Sequence, residues 1–275
     1  MLKVSSLRFA KLKSFTGQFV QVQSVNETVA ELILTRPEGL NAITLSMARE
    51  LNFACKQLSE EKEVRAVVIR GQGRGFCSGR DLKESLHHSD EEAREYLKEA
   101  LAAVLSVFSL PMPTIAALHG CSLGLGLEIA LACDIRVASG DCKFGFPETK
   151  LGMFPGAGGS FLLPLVLGSP SKSLELILTG DQFLAEKALN IGLVSTVSVD
   201  AAIEALTFAN KIASNGPLGV RAAKRVIQKG IRDDFESSGS MKMAIEERLA
   251  LTKTSDYREA LEAFSEKRIP LFTGK

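Results

Sequence analysis

The sequence contains no tryptophan, two tyrosines and three histidines among 275 residues. Its five cysteines form no CxxC pair, and no histidine lies at ligand spacing from them. This pattern argues against a zinc site and predicts buried free thiols. No Ser or Cys nucleophile motif accompanies the histidines, which we therefore interpret as structural. No apolar run reaches the roughly 18–20 residues that span a bilayer, so we expect no membrane partner.

Residues 1–16 carry basic charges only, and the first acidic residue is Glu27. A basic, acid-free start with interleaved Leu, Val and Phe is typical of a mitochondrial transit peptide. We predict such a peptide and a location in the mitochondrial matrix; the alternatives are a disordered basic tail and a cytoplasmic location. The rest of the chain has the composition of an ordinary globular protein. The formal net charge of +1 neither favours nor opposes a nucleic-acid partner.

Hydrophobic periodicity and capping residues predict strands alternating with helices over the first two thirds of the chain. We expect a hairpin around Asn26-Glu27, a helix with Thr44 as its N-cap, and a helix with a capping box formed by Ser89 and Glu92. The predicted strands are residues 18–25, 28–35, 64–70, 114–118, 135–138 and 142–144, and the predicted helices are residues 44–59, 89–109 and 125–133. From residue 158 onward the pattern is mostly helical, except for residues 193–199, and Pro217 falls where the first residue of a helix is expected. This order favours an α/β fold with a helical C-terminal section.

Three glycine-rich segments resemble phosphate-binding loops only superficially. Residues 71–75 lead into no helix, residues 156–159 lack the Gly-Lys-Ser/Thr of a P-loop, and residues 120–126 have the wrong spacing for a dinucleotide fingerprint. Such turns are better suited to an oxyanion hole, because N–H groups at a helix N-terminus can bind a substrate oxygen. Leu125 is placed to offer one N–H group, and the turn Gly79-Arg80-Asp81 is a candidate for the second.

Two glutamates stand beside these turns. Glu128 follows the glycines at positions 124 and 126, and Glu148 follows Gly145-Phe146-Pro147. A carboxyl group in an apolar pocket has a raised pKa and can act as an acid or a base near neutral pH. Paired carboxylates near exposed N–H groups therefore indicate proton transfer next to a carbonyl.

Three segments, in this order, resemble signatures of the enoyl-CoA hydratase/isomerase (crotonase) family. They are residues 76–84 (FCSGRDLKE), residues 113–136, which contain LGLGLE, and residues 144–159, which contain GFPE and PGAGG. The similarity extends from about residue 18 to Arg268. Within the family, the chain most resembles the branch of mitochondrial short-chain and methylglutaconyl-CoA hydratases.

The resemblance implies a crotonase-like spiral of repeated ββα units over residues 17–200. It also implies a helical region over residues 201–275 that forms a trimer or a dimer of trimers. The implied substrate is an acyl-CoA thioester, with no separate cofactor, because coenzyme A is part of the substrate. By position, the N–H groups of Arg80 and Leu125 would form the oxyanion hole, and Glu128 and Glu148 would be the acid/base pair of a hydratase. The residues that would bind the substrate or its coenzyme are Leu40, Arg80, Asp81, Leu82, Lys83, Gly124 and Leu125.

The chain departs from the family pattern at two of these positions. Arg80 stands where a small residue is usual, so its side chain is expected to turn away from the site or to meet a coenzyme phosphate. Leu125 replaces a usual glycine and narrows the acyl pocket. Glu84, unlike the other two glutamates, is expected in a solvated loop.

Two other functions stay open. An isomerase would move the double bond of an acyl-CoA, with Glu148 as the proton shuttle. An RNA-binding family member would need a cationic row along one face of the first helix. The matching face of this chain reads Leu45, Arg49 and Phe53, so most of that row is missing. The basic stripe formed by Arg221, Arg225 and Lys229 is more simply a solvated helix face, so we expect no nucleic-acid partner.

Overall fold

The structure, a computed structural model, describes residues 14–236, 246 and 249–270, apart from the side chains of residues 229–236. Residues 1–13, most of the predicted transit peptide or basic tail, lie outside this description, as does the side chain of Lys229. The strands are β1 (Phe15–Thr16), β2 (Val20–Ser24), β3 (Val29–Leu34), β4 (Ala66–Gly71), β5 (Thr114–Leu118), β6 (Cys121–Leu123), β7 (Ile135–Ser139), β8 (Lys143–Gly145), β9 (Phe183–Leu184) and β10 (Thr196–Ser198). The helices are α1 (Leu45–Glu60), α2 (Leu82–Ser85), α3 (Asp90–Phe108), α4 (Leu125–Ala132), α5 (Gly159–Leu167), α6 (Pro170–Thr179), α7 (Ala185–Asn190), α8 (Ala201–Ala213), α9 (Pro217–Glu236) and α10 (Ser255–Glu266).

A seven-stranded sheet has the strand order β1-β2-β3-β4-β5-β7-β10. Strands β1, β2 and β3 pair antiparallel, whereas β3, β4, β5, β7 and β10 are parallel. The predicted hairpin is confirmed, with Val20 opposite Leu34. The end of the predicted basic segment also joins the sheet, because Phe15 in β1 pairs with Val22.

A smaller sheet contains the short strands β6, β8 and β9. Strands β6 and β8 are parallel, and an isolated bridge between Cys77 and Ser122 adds a residue from the preceding turn of the chain. Successive turns of the chain thus contribute a strand to the large sheet, a short segment to the small sheet, and then a helix. This is the ββα spiral that the family resemblance implies.

Both faces of the large sheet are buried, because successive residues of a strand point to opposite sides. On one face, Leu32 and Ile69 belong to the main apolar core, which includes buried residues of α1, α3 and α4. On the other face, Val68 and Ile115 pack with the alanines of α8, which recur every four residues at positions 201, 205, 209 and 213. Burial on both sides explains why these strands read as continuous apolar runs.

The helices begin where their capping residues predict. The Thr44 hydroxyl accepts a hydrogen bond from the N–H of Met47, and Ser89 and Glu92 form both bonds of a capping box. Pro217 is the first residue of α9. The elements β6, β9 and α2 were not predicted, since segments of two to four residues carry no readable periodicity.

The C-terminal helices differ in how they pack. On α10, Tyr257 and Leu261 are buried against Met153, near the 3₁₀ helix Pro147–Leu151. On α9, Ile227 is 67% exposed. Across the described ranges, no helix is long and apolar enough to cross a membrane.

Candidate active site

Arg80 lies in the loop after β4, and its backbone N–H is one of the two predicted oxyanion donors. The N–H of Ile43 donates to the carbonyl of Gly79 at 2.8 Å, and the N–H of Asp81 donates to the carbonyl of Ile43 at 3.0 Å. These two bonds hold the backbone on either side of Arg80. The backbone N–H of Arg80 itself has no hydrogen-bond acceptor among the described residues.

A second such N–H group lies at the start of α4. Leu125 is the first residue of this helix, so its N–H has no acceptor within the helix, and none is found elsewhere in the described chain. Gly124 precedes it with φ of +48°, a conformation that favours glycine. The two turns are in contact, because a Cβ atom added to Gly79 would lie 3.5 Å from the nitrogen of Leu125.

Glu128 is held by the first turn of the next helix. Its side chain is 2% exposed, and its Oε1 atom accepts hydrogen bonds from the N–H groups of Ala157 (2.9 Å) and Gly159 (2.8 Å). Gly159 begins α5, whose N-terminal N–H groups favour a negative charge. The buried carboxylate is therefore fixed in orientation by backbone donors.

Glu148 approaches from the 3₁₀ helix Pro147–Leu151. The chain enters this helix through Pro147, and Gly152 ends it in the left-handed conformation. A Cβ atom added to Gly124 would lie 2.7 Å from Oε1 of Glu148. The carboxylate of Glu148 thus lies directly over the glycine that precedes Leu125.

One cavity brings these groups together. Both glutamates line it, as do Arg80 and Leu125. Its apolar wall includes Leu82, Leu97, Ala100, Leu125, Leu151, Met153 and Ala157. Two carboxyl groups, and two backbone N–H groups that have no acceptor among the described residues, therefore line a single space with a largely apolar wall.

Three of the predicted substrate-binding residues lie outside this cavity lining. The carboxylate of Asp81 accepts hydrogen bonds from the N–H groups of Lys83 and Glu84, and it forms an ion pair with Arg36 at 2.7 Å. Lys83 is exposed. Leu40 is next to the site through its carbonyl, which accepts the N–H of Ser78 at 3.0 Å.

The loop containing Leu40 has an unusual backbone. Leu40 and Asn41 have φ of 50° and 55°, in the left-handed region that few residues other than glycine adopt. The buried Asn41 side chain compensates, because its Oδ1 atom accepts the N–H of Arg36 and its Nδ2 group donates to the carbonyls of Gln72 and Gly75. One amide side chain thereby joins its own loop to the loop after β4.

The Arg80 side chain does not leave the cavity. Its guanidinium carbon lies 4.2 Å from the centroid of the Tyr96 ring, and Nη2 lies 3.4 Å from Nδ1 of His88. Burial, and secondly the charge of Arg80, lower the pKa of His88. His88 and Tyr96 are therefore part of the surroundings of the site, which their positions in the sequence did not predict.

The expectation for Glu84 is wrong. Glu84 lies in α2, is half-buried, and its Oε2 atom accepts the N–H of Leu45 at 3.0 Å. Leu45 is the first residue of α1, where a carboxylate interacts favourably with the helix dipole. Glu84 therefore stabilises a helix start near the cavity.

The sequence also gave no indication of the part played by the C-terminal helix. Tyr257 of α10 lines the cavity although it is more than 100 residues from either glutamate. An amphipathic helix presents many candidate side chains, and only the packing of α10 on Met153 selects this one. In the part of the chain that the structure describes, no group of His, Cys, Asp and Glu side chains could hold a metal ion.

The fold and the cavity define a class of protein: a ββα spiral that can bind an oxyanion between two turns and move protons with two carboxyl groups. A sequence profile described as enoyl-CoA hydratase/isomerase matches residues 24–275. The chain belongs to this family, which is also called the crotonase family.

Individual relatives agree with this assignment. The enoyl-CoA isomerase/hydratase fer4 of Mycosarcoma maydis is 39% identical over 90% of this chain and 93% of its own length. The human mitochondrial methylglutaconyl-CoA hydratase is 37% identical over 92% and 76%. The crystal structure of enoyl-CoA hydratase from Bacillus anthracis superposes with a TM-score of 0.76 at 37% identity, over 94% of this chain and all of that one.

Proposed function

We propose that this protein is an enoyl-CoA hydratase that adds water syn across the 2,3-double bond of a 2-enoyl-CoA thioester. The observation that carries the proposal is the cavity shared by Glu128, Glu148 and the N–H groups of Arg80 and Leu125. A hydratase needs both a base for water and an acid for carbon, and an isomerase needs only one proton shuttle. Two carboxyl groups beside one oxyanion hole therefore favour hydration.

The reaction follows from the positions of these groups. The thioester oxygen accepts hydrogen bonds from the N–H groups of Arg80 and Leu125, which stabilise the negative charge that develops when C3 is attacked. One donor of this kind lowers a barrier by roughly 3–4 kcal/mol. Glu128 removes a proton from water, the water oxygen bonds to C3, and the π electrons move towards the thioester oxygen. Glu148, in its neutral form, then delivers a proton to C2.

The test is hydration of crotonyl-CoA by the wild type and by the Glu128→Gln and Glu148→Gln variants. Each substitution keeps the side-chain shape and removes proton transfer, so kcat should fall about 10²–10⁴-fold. Glu60→Gln is the matched control, because Glu60 is exposed at the end of α1. Full activity in either site variant would contradict the role of that residue.

An isomerase is the alternative, and the name of the fungal relative includes both activities. Crotonyl-CoA and a 3-enoyl-CoA distinguish the two reactions. A hydratase converts crotonyl-CoA to 3-hydroxybutanoyl-CoA, so the absorbance of the conjugated thioester decreases. An isomerase leaves crotonyl-CoA unchanged and creates conjugated absorbance from the 3-enoyl-CoA.

We further propose assembly into a trimer or a dimer of trimers. Leu174 and Leu178 of α6 are 55% and 66% exposed, and such apolar side chains favour burial against another subunit. Light scattering after gel filtration measures the mass directly. A monomer at micromolar concentration would contradict the proposal.

We still expect no nucleic-acid partner. Arg49 forms an ion pair with Glu95, and Arg221 donates to the carbonyls of Lys62 and Val64.

We propose that the protein is located in the mitochondrial matrix, with the cytoplasm as the alternative. The name of the human relative includes the word mitochondrial. Fractionation of cells that express the full chain with a C-terminal tag tests this.

A further inference from the structure

Tyr257 brings the C-terminal helix α10 to the proposed active site. The residue is 7% exposed and lines the cavity that contains Glu128 and Glu148. All other described residues of this lining lie between positions 78 and 157. Because one side chain comes from a distant part of the sequence, the wall of the cavity is complete only when α10 is in place.

The start of α10 packs against the segment that follows Glu148. The 3₁₀ helix that carries Glu148 ends at Gly152, and a Cβ atom added there would lie 3.7 Å from the backbone nitrogen of Tyr257. The next residue, Met153, donates its N–H to the carbonyl of Glu148 at 2.9 Å. The backbone of Tyr257 is therefore held against the segment that positions the proposed acid.

The side chain of Tyr257 belongs to an apolar wall of the cavity. It forms a buried cluster with Met153 and Leu261, and the partly buried Leu82 packs against this cluster. Leu82 follows the turn that contains Arg80, and it lines the cavity together with Met153 and Tyr257. Apolar surface of this kind favours hydrocarbon and disfavours polar groups that have no partner.

The proposed reaction assigns the polar groups of the cavity to the reacting end of the substrate. The N–H groups of Arg80 and Leu125 bind the thioester oxygen, and the two glutamates face C3 and C2. The acyl carbons beyond C3 then lie against the apolar wall. A buried ring in a close-packed cluster does not make room for additional methylene groups without a loss of binding.

We propose that Tyr257 is a specificity-determining residue whose ring ends the acyl pocket and limits the length of the acyl chain. This inference rests on the proposed function, because it places the acyl chain in the cavity of the two glutamates. A longer chain meets the ring, whereas a smaller side chain at this position makes room for it. One methylene group in an apolar pocket changes kcat/KM by about tenfold or more.

Hydration of crotonyl-CoA, 2-hexenoyl-CoA and 2-octenoyl-CoA measures this limit. In the wild type, kcat/KM should fall at least about tenfold between the shortest and the longest chain. Tyr257→Ala should raise the ratio of the octenoyl to the crotonyl value at least about tenfold. Tyr257→Leu, which keeps more of the apolar packing, should change the ratio in the same direction. Tyr257→Phe keeps the ring and should keep the wild-type ratio.

Leu261→Ala is the matched control, because Leu261 belongs to the same buried cluster and is not part of the described cavity lining. A ratio that rises as much as in Tyr257→Ala would assign the effect to looser packing of α10 and overturn the proposal. Equal changes of kcat/KM for all three thioesters in Tyr257→Ala would place the ring at the coenzyme and would also overturn it. So would a wild type that hydrates all three equally well.

Binding of saturated thioesters separates this proposal from the proposed function. Titration calorimetry with butanoyl-CoA and octanoyl-CoA needs no hydration, and Tyr257→Ala should improve the relative affinity for octanoyl-CoA at least about tenfold. This change in binding, in a protein whose wild type does not hydrate crotonyl-CoA, would reject the proposed function and support the role of Tyr257. Hydration of crotonyl-CoA with unchanged relative affinities in Tyr257→Ala would leave the proposed function intact and reject only that role.

Discussion

The Oε1 atom of Glu128 lies 2.8 Å from the backbone nitrogen of Gly159. This bond joins α4 to the first turn of α5, and the N–H of Ala157 makes a second bond to the same oxygen. Two residues separated by 31 positions are thus brought together so that a helix N-terminus orients a buried carboxylate. The backbone of another segment therefore orients the proposed base.

A methyl group added at Gly124 should displace the carboxylate of Glu148. In Gly124→Ala, the new Cβ would lie 2.7 Å from Oε1 of Glu148, and φ of +48° would be strained. We expect the carboxylate to move and kcat for crotonyl-CoA hydration to fall at least about tenfold, since small misplacements of catalytic groups are costly. Gly140→Ala is the control, because a Cβ there meets no atom within 4 Å. Equal kcat values for the two variants would show that Glu148 tolerates displacement.

Asp81 should stabilise the fold in a pH-dependent way. Burial raises the pKa of this carboxyl group, but hydrogen bonds from the N–H of Glu84 and from Arg36 outweigh it, so the pKa is lowered overall. A group with a lowered folded-state pKa stabilises the fold above its unfolded-state pKa, about 3.9 for Asp, and loses this effect as the pH falls further.

The variant Asp81→Asn measures this contribution. At pH 7 it should lower the free energy of unfolding by about 1–3 kcal/mol, the range for a hydrogen bond to a charged group. The difference from the wild type should shrink as the pH falls below about 4. Urea unfolding at pH 7, 5 and 3.5 provides the comparison, and a difference that stays constant over this range would refute the assignment.

The cysteines should differ in reactivity. Burial raises the pKa of Cys77 to about 12 and that of Cys133 to about 12, so both stay as thiols at neutral pH. Burial also raises the pKa of Cys121, but this side chain is only half-buried. The alkylation rate of a cysteine depends on its thiolate fraction and on its solvent access. Iodoacetamide should therefore modify Cys121 first in the native protein, and the other cysteines only in urea. Mass spectrometry identifies the sites; early labelling of Cys77 would contradict this order.

Local sequence signals predicted the longer helices and strands of the fold. Thr44 and Ser89 mark helix starts through hydrogen bonds to residues three positions away, and Pro217 marks one through its fixed φ. A sequence displays such signals directly. The bridge between Cys77 and Ser122 is different, because it joins separate turns of the spiral. Pairing of this kind depends on topology, so the small sheet was only partly predictable.

The candidate site was likewise only partly predictable from the sequence. Glu128 and Glu148 could be proposed from the sequence because each stands beside a glycine-rich turn and few other groups between them can transfer a proton. The contacts of Arg80 with Tyr96 and His88 were not foreseen, since a side chain at a turn has several rotamers and the sequence does not select one. The error for Glu84 has the same origin: its partner, Leu45, lies 39 residues away.

The left-handed pair Leu40 and Asn41 has a consequence for ligand affinity. The amide group of Asn41 already ties its own loop to the loop after β4, beside the cavity. A loop that is already rigid loses little conformational entropy when a ligand binds, so more of the contact energy contributes to affinity. Crystals grown with and without an acyl-CoA should therefore superpose closely over residues 36–41.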